Sequence, residues 1–418
     1  MQSYRNIALA AAVAVVAPGA SASVLAESID GRWDAVITYN KIELPFLIEF
    51  AGEGDTFSGS FLNGDVKVKS TGGSYKDGKF VLNFDHYLGK LQGTVKDGKI
   101  KGEFASSRGG EGPGGEQPFH AERHSDTKVA VKDVPSIDGL WEIPVESPKG
   151  EKSWRFIVKQ DGADVRGSIL RVDGDTGTLR GTYKDGKFVL AHFSGSRALR
   201  LEVTPDKDGN LSLVQFGRPG IAKKLTAYRP EVARQKGLPE PADFAKHTTI
   251  KDADQPFNFS FPDVNGKTFS STDEKFKGKV VVAVVTGTWC PNCHDEAQFL
   301  VELDRKYHDR GLEIVALDFE EIEEQESGYK RLKAFVKQYG VNYTYLVAGA
   351  PIEMWVKVPQ ADNLNSWPTT FFVGRDGKVK KVHSGFASPA SGEFHTQARE
   401  SFTKTIEALL SENATASR

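Results

Sequence analysis

The 418-residue chain reads as a multidomain protein: two tandem antiparallel all-β domains, barrel- or sandwich-like, followed by an α/β domain. Three observations carry that reading. Residues 28–230 repeat themselves at a fixed offset of 108. Within each copy, apolar residues recur with period 2, the signature of half-buried strands. From Lys279 the pattern changes to a continuous β-branched run and then to helical spacing, the alternation of an α/β unit.

The repeat is explicit. Ser28-Ile29-Asp30-Gly31-Arg32-Trp33 recurs as Ser136-Ile137-Asp138-Gly139-Leu140-Trp141, and Tyr75–Leu82 recurs as Tyr183–Leu190. Gly59-Ser60 matches Gly167-Ser168 in the same register. Three matches at one offset are a duplication. Each copy is far longer than a solenoid unit, so each is expected to be a small domain of its own, over 28–124 and 136–230. Trp33, Ala35, Ile37 and Tyr39 alternate along one strand; Phe80, Leu82 and Phe84 along another; Trp154, Phe156 and Val158 along a third. Asp77-Gly78, Asp97-Gly98 and Asp185-Gly186 are tight hairpin signals between such strands. About eight strands per copy favour an up-and-down barrel over a sandwich. Trp33 and Trp141 stand at inward spacing and read as core. Gly109–Gly115 lacks the Gly-Lys-Ser/Thr ending of a phosphate cradle and reads as a flexible hairpin loop. Residues 124–135 and 231–253 are polar or proline-containing and read as linkers.

Net charge is −2, which argues neither for nucleic acid nor for an anionic membrane surface as a partner, and no nucleic acid is expected. Arg5, the short apolar run Ile7–Ala17 and the small-residue sites Ala20-Ser21-Ala22 and Val24-Leu25-Ala26 mark 1–26 as a signal peptide. The mature protein is therefore expected outside the cytoplasm, in the periplasm or an equivalent compartment. Two cysteines are too few for a disulfide framework there, so stability must come from packed cores.

The α/β domain is placed over 254–412. Phe257–Phe261 is a strand and Pro262–Lys267 its turn. Lys279–Val285 is a buried parallel strand. From Pro291 a helix runs with Leu300, Leu303 and Tyr307 inward, closed by Gly311. Leu312–Phe319 is a second buried strand and Tyr329–Tyr339 a second helix. Glu320, Glu321, Glu323, Glu324 and Glu326 read as solvated charge ahead of that helix. Tyr343–Val347 is a short strand and 348–366 an irregular insertion. Phe371–Val373 and Val379–His383 make a closing hairpin about Asp376-Gly377, and 393–411 is the last helix, striped by Phe402, Ile406, Leu409 and Leu410.

Both cysteines lie in Trp289-Cys290-Pro291-Asn292-Cys293. A zinc site needs four ligands, and His294 with two cysteines leaves the tetrahedron unfilled, so no metal is expected. A strand, a turn and a helix opening on C-x-x-C form the pattern of a redox dithiol of thioredoxin type. At a helix N-terminus Cys290 gains unpaired N–H groups and the positive dipole end, which lower a thiol's pKa. Cys293, one turn in, is placed to resolve a mixed disulfide.

Residues 255–412 resemble the TlpA/ResA-type thiol-disulfide oxidoreductases of the thioredoxin superfamily, through Gly287–Cys293 and Trp367-Pro368-Thr369-Thr370-Phe371-Phe372. The resemblance implies that Cys290 is the nucleophile and Cys293 the resolving thiol. It also implies that Pro368 is cis beside the dithiol, with Trp289 and Trp367 flanking the substrate chain. ResA-like members carry a glutamate three residues after the second cysteine; Glu296 stands there and would relay a proton to and from the dithiol. Two positions depart from thioredoxin relatives: Val284 replaces a buried Asp and Thr286 an aromatic. His294 reads as a surface histidine. The function implied is an exported reductase of protein disulfides, with no cofactor, recharged by a membrane thiol electron donor. Two rivals remain. A peroxiredoxin-type thiol peroxidase would need Pro-x-x-x-Thr/Ser-x-x-Cys, and Gly287 sits three before Cys290. The other is a binding protein whose β repeats capture peptide or glycan.

Overall fold

The computed structural model describes residues 27–106, 115–126, 131–218, 221–321 and 325–412. The expected signal peptide, nearly all of the glycine loop after Arg108 and acidic residues Glu323 and Glu324 lie outside the described residues. Each repeat is a rolled antiparallel meander. In the first, the opening strand Gly31–Tyr39 pairs with both its successor and the last strand, Gly115–Arg123. Its seam lies between Val66–Lys69 and Gly72–Lys76, the two ends of the sheet order. In the second, the first and last strands meet through a bridge between Glu142 and Tyr228, whose backbones exchange two 2.8 Å hydrogen bonds. There the counterpart of Val66–Lys69 is reduced to Gly174–Asp175, and Asp164–Arg171, the counterpart of Ser58–Asn63, pairs directly with Leu179–Lys184. Both repeats are therefore barrels in all but one seam each, at different places.

Local chemistry explains the rolling. Asp77-Gly78, Asp97-Gly98 and Asp185-Gly186 all have positive φ at both residues, the turn that matches the twist of the flanking strands. Trp33, Ala35 and Ile37 face inward and are at most 1% exposed. The Ser-Ile-Asp-Gly-x-Trp motif is a barrel plug. Trp33 Nε1 donates to the Ile29 carbonyl at 2.8 Å, and Trp141 Nε1 to Ile137 at the same distance. Gly31 and Gly139, at φ +103° and +105°, make the bend that lets each indole fold back. Arg123 covers one indole and Arg229 the other.

The repeats are not separate bodies, as the sequence suggested. Phe193 of the second repeat packs among Phe46, Phe61 and Phe104 of the first, with ring centroids 5.0–5.3 Å away. The 231–253 stretch is also not a free linker. Its start is the helix Pro230–Gln235, anchored by Arg234 on Glu142. Its end, Thr249–Ile250, pairs with Ala361–Asp362 inside the 348–366 insertion, and Thr248 is buried against Ser384. Backbone pairing consumed what polarity alone marked as spacer.

The C-terminal sheet runs in the order Thr344–Gly349, Leu312–Phe319, Val280–Thr286, Thr369–Val373, Val379–Ser384. The first three strands are parallel, Thr369–Val373 runs antiparallel to them, and Val379–Ser384, antiparallel to Thr369–Val373, runs in the direction of the first three. Helices Pro291–Tyr307, Gln325–Tyr339 and Glu393–Ser411 complete a thioredoxin-like unit. Val280–Thr286 is buried at every residue because both faces are covered, which is why its sequence runs without alternation. The second helix begins before the expected Tyr329. The insertion holds the short helix Met354–Lys357, whose Met354 is buried while Trp355 and Val356 are exposed.

Candidate active site

The central strand ends at Thr286, and the next three residues are pinned before the helix begins. Trp289 folds back so that its Nε1 donates to Phe319 O at 2.8 Å. A Cβ on Gly287 would sit 2.8 Å from the indole Cε2 and 2.9 Å from Phe319 O, so only glycine fits. Thr288 donates its backbone N–H and its hydroxyl to Glu320 Oε1 at 2.9 and 2.5 Å. Arg331, with no exposed side-chain surface, holds the other oxygen of Glu320. Cys290 is then the N-cap of the helix Pro291–Tyr307, with Pro291 at the first position, where its missing N–H matters least.

Both cysteines are free thiols and both are buried, Cys290 at 4% and Cys293 at 1% exposure. Cys290 Sγ lies 3.6 Å from the Trp367 carbonyl oxygen. Burial pushes the Cys290 thiol up. The hydrogen bond from the Cys293 thiol, the Cys293 backbone N–H and the Arg197 charge outweigh it and leave Cys290 below the ordinary thiol value. Cys293 goes the other way, driven well up by burial and then by its Cys290 neighbour. The pair is thus polarised: the outer sulfur ionises the more readily, the inner the less.

The structure brings all six sequence-selected residues together. Glu296 is 1% exposed and accepts from Thr370 Oγ1 at 2.5 Å. Burial lifts its carboxyl to about 8, opposed by the Thr370 hydrogen bond and reinforced by the charge on Cys290. Trp367–Pro368 is cis, and Trp289 and Trp367 meet edge to face at 5.1 Å. Two expectations are corrected. His294 is no surface residue: it is 2% exposed, bonded to Tyr339 OH at 2.8 Å and to Thr288 O at 2.7 Å, with its ring tilted against Tyr87 at 4.3 Å. Glu320 is not solvated charge but the buried acceptor that pins Thr288, balanced by Arg331.

Sequence reasoning missed that the β repeats form one wall of this site. Gly174 bridges Phe386, and Asp173 O accepts from Asn292 Nδ2 at 2.7 Å. Asp175 is fully buried and accepts from Ser388 N, Ser388 Oγ and Ser391 Oγ at 2.7–2.9 Å. A Cβ on Gly174 would stand 2.6 Å from Asn292 Cγ, and one on Gly385 2.7 Å from the Asp173 carbonyl carbon. From the first repeat, His86 and Tyr87 pack on His294. The available signal was Asn292 itself: a buried amide offers a donor and an acceptor and needs partners for both.

The AhpC/TSA family matches residues 253–382. The thiol-disulfide oxidoreductase ResA of Bacillus cereus (strain ATCC 10987 / NRS 248) is 33% identical over 138 residues, which are 32% of this chain and 71% of that protein. ResA of Bacillus subtilis (strain 168) is 31% identical over 144 residues, 34% of this chain and 73% of that one. The chain belongs to the ResA family of thiol-disulfide oxidoreductases. The membership rests on its C-terminal third; the β repeats lie outside the matched part. A crystal structure from Chlorobium tepidum, described as a putative thiol:disulfide interchange protein DsbE, covers 39% of this chain and 99% of its own, at 22% identity and a TM-score of 0.31. No helix among the described residues of this ResA-family chain is long and apolar enough to cross a membrane.

Proposed function

We propose that the protein is an exported reductase of protein disulfides working through Cys290 and Cys293. The observation that supports it best is the polarised pair of free sulfurs at the head of a helix, one lowered and one raised, with a protonatable carboxyl beside them. The Cys290 thiolate attacks a client disulfide. A Cys290–client S–S bond forms, and the client's other sulfur leaves as a thiolate that takes the proton Glu296 holds, leaving Glu296 a carboxylate. Cys293 then gives its proton to Glu296 and attacks Cys290, closing the Cys290–Cys293 bond and freeing the reduced client. Two electrons pass to the client, and a membrane-borne dithiol returns them.

Glu296 suits the second step. The Cys290 charge is one of the influences that holds its proton on. Forming the mixed disulfide removes that charge, so the carboxyl gives up its proton more readily to the departing client sulfur and stands as a carboxylate when Cys293 must ionise. Trp289, Trp367 and Pro368 form the wall along which the client chain lies.

Cys293→Ser decides the matter: the attacking sulfur stays and the resolving one is gone. Non-reducing gels should show covalent adducts with disulfide-bearing proteins, released by dithiothreitol. A variant that forms none, while wild type also fails to equilibrate with glutathione buffers, sinks the proposal.

A further inference from the structure

Two turns, one from each β repeat, close on the first turn of the dithiol helix. They are the same turn by descent: 85–89 in the first repeat and 193–197 in the second, 108 residues apart. They carry different chemistry. The first presents the rings of His86 and Tyr87 to His294. The second presents a cation: Arg197 stands where the first repeat has Gly89. Gly195, at φ +82°, and a 3.2 Å bond from Ser194 N to Arg197 O shape the turn that projects it.

The guanidinium is nearly buried, with 14% of the side chain exposed. It donates to Asn292 Oδ1, and its Nη1 lies 3.9 Å from Asp295 Oδ2. Asn292 lies between the two cysteines and is only 5% exposed. Its amide is used at both ends by the second repeat, the oxygen by Arg197 and the nitrogen by Asp173 O. No acidic residue stands in the helix's first turn. A thiolate at Cys290 forms away from water, where an isolated charge is strongly disfavoured unless a counter-charge faces it. The helix dipole supplies part of that, and a guanidinium over the same turn supplies a full charge.

We infer that Arg197 is a positioning residue of the dithiol: a cation contributed by the second β repeat that fixes Asn292 and stabilises the Cys290 thiolate. The inference rests on Cys290 being the nucleophile. Other ionisable groups face this corner: Asp175 is engaged by Ser388 and Ser391, and His192 is pushed down to about 4 by burial and then by Arg197. Asp173 opposes the thiolate but is engaged by Lys149 at 2.9 Å and Arg171 at 3.7 Å. Asp295 is lifted to about 7 by burial, partly offset by Arg197. Glu296 is raised by burial, and Cys293 holds its proton. The field of Arg197 acts on Cys290 in the direction the geometry requires.

The test is the thiolate's ultraviolet absorbance followed against pH in the reduced full chain, with Cys290 alkylation rate as a second profile. Reading the thiolate directly keeps the Asp295 titration out of the signal. Arg197→Gln keeps a donor for Asn292 without the charge; Arg197→Lys keeps the charge. The midpoint should rise by about one unit, a tenfold loss of thiolate at fixed pH, in Arg197→Gln and return most of the way in Arg197→Lys. A merely structural role predicts the opposite sign, because a loosened interface wets Cys290 and lowers its midpoint. Arg197→Met, closer in bulk, gives the same reading should the glutamine variant not fold. A midpoint that is unmoved or falls in the uncharged variants overturns the inference while leaving the reductase in place. A wild type with no thiolate titration and no exchange with glutathione overturns the reading beneath it.

Discussion

Glu296→Gln isolates the buried carboxyl beside the dithiol. The amide has the same shape and can still accept from Thr370, but it cannot ionise. In the folded chain the Glu296 carboxyl titrates at about 8, against 4.5 when unfolded. Between those values the native state holds a proton that the unfolded state has released, so wild-type stability falls as pH rises through that window. Each pH unit is worth about 1.4 kcal/mol. The advantage of the glutamine variant should therefore grow from pH 5, reach about 3 kcal/mol at pH 7 and level off above pH 8. Urea unfolding of both proteins, reduced, at four or so pH values measures it; any fixed difference from the amide itself adds a constant and leaves the slope alone. A difference that does not change with pH would refute the placement of Glu296 in a dry site. In the same variant disulfide exchange should slow, because Cys293 loses its proton acceptor.

Three further outcomes follow from the packing. His86, His192 and His383 are buried and held neutral, mainly by desolvation, with values near 4, 4 and 3. Their folded values lie below the unfolded one, so stability is full above pH 6.5 and should drop steeply as pH falls towards 4, visible as an acid-induced loss of near-ultraviolet circular dichroism. Gly174→Ala sets a methyl group against Asn292 and should lift the loop off the dithiol, so that iodoacetamide alkylates Cys290 at least about tenfold faster than in wild type; equal rates would show that the loop does not shield the sulfur. Phe193→Ala empties an aromatic site in the first repeat's core and should lower urea stability by about 3–5 kcal/mol; a change under 1 kcal/mol would mean the repeats do not share that core.

Much of this was legible in the chain. Alternation in Trp33–Tyr39 placed a strand with one buried face, and Asp-Gly pairs placed turns whose two residues both have positive φ. The unbroken Val280–Val285 run announced a strand covered on both faces. C-x-x-C after it fixed the dithiol, and the offset of three fixed Glu296 on the same helix face. What stayed hidden depended on who neighbours whom. His294 and Glu320 look like surface polars in isolation; they are buried because Tyr339, Thr288 and Arg331 offer partners that only the folded sheet brings near. Arg197, Asp173 and Asp175 lie 95 residues or more from their partners, and no local pattern marks such pairs. The boundary stretch 231–253 misled for the same reason: polar composition cannot say whether a backbone will find an edge to pair with.

The ring of Phe193 has an implication for how this protein can be taken apart. It serves as a stopper, lent by one barrel to its neighbour, and it sits among Phe46, Phe61 and Phe104 where an apolar guest would otherwise lodge. Any hydrophobic visitor to that space has to evict a phenylalanine first. A gene fragment carrying the first repeat by itself would lack that ring and leave one end of its core uncorked.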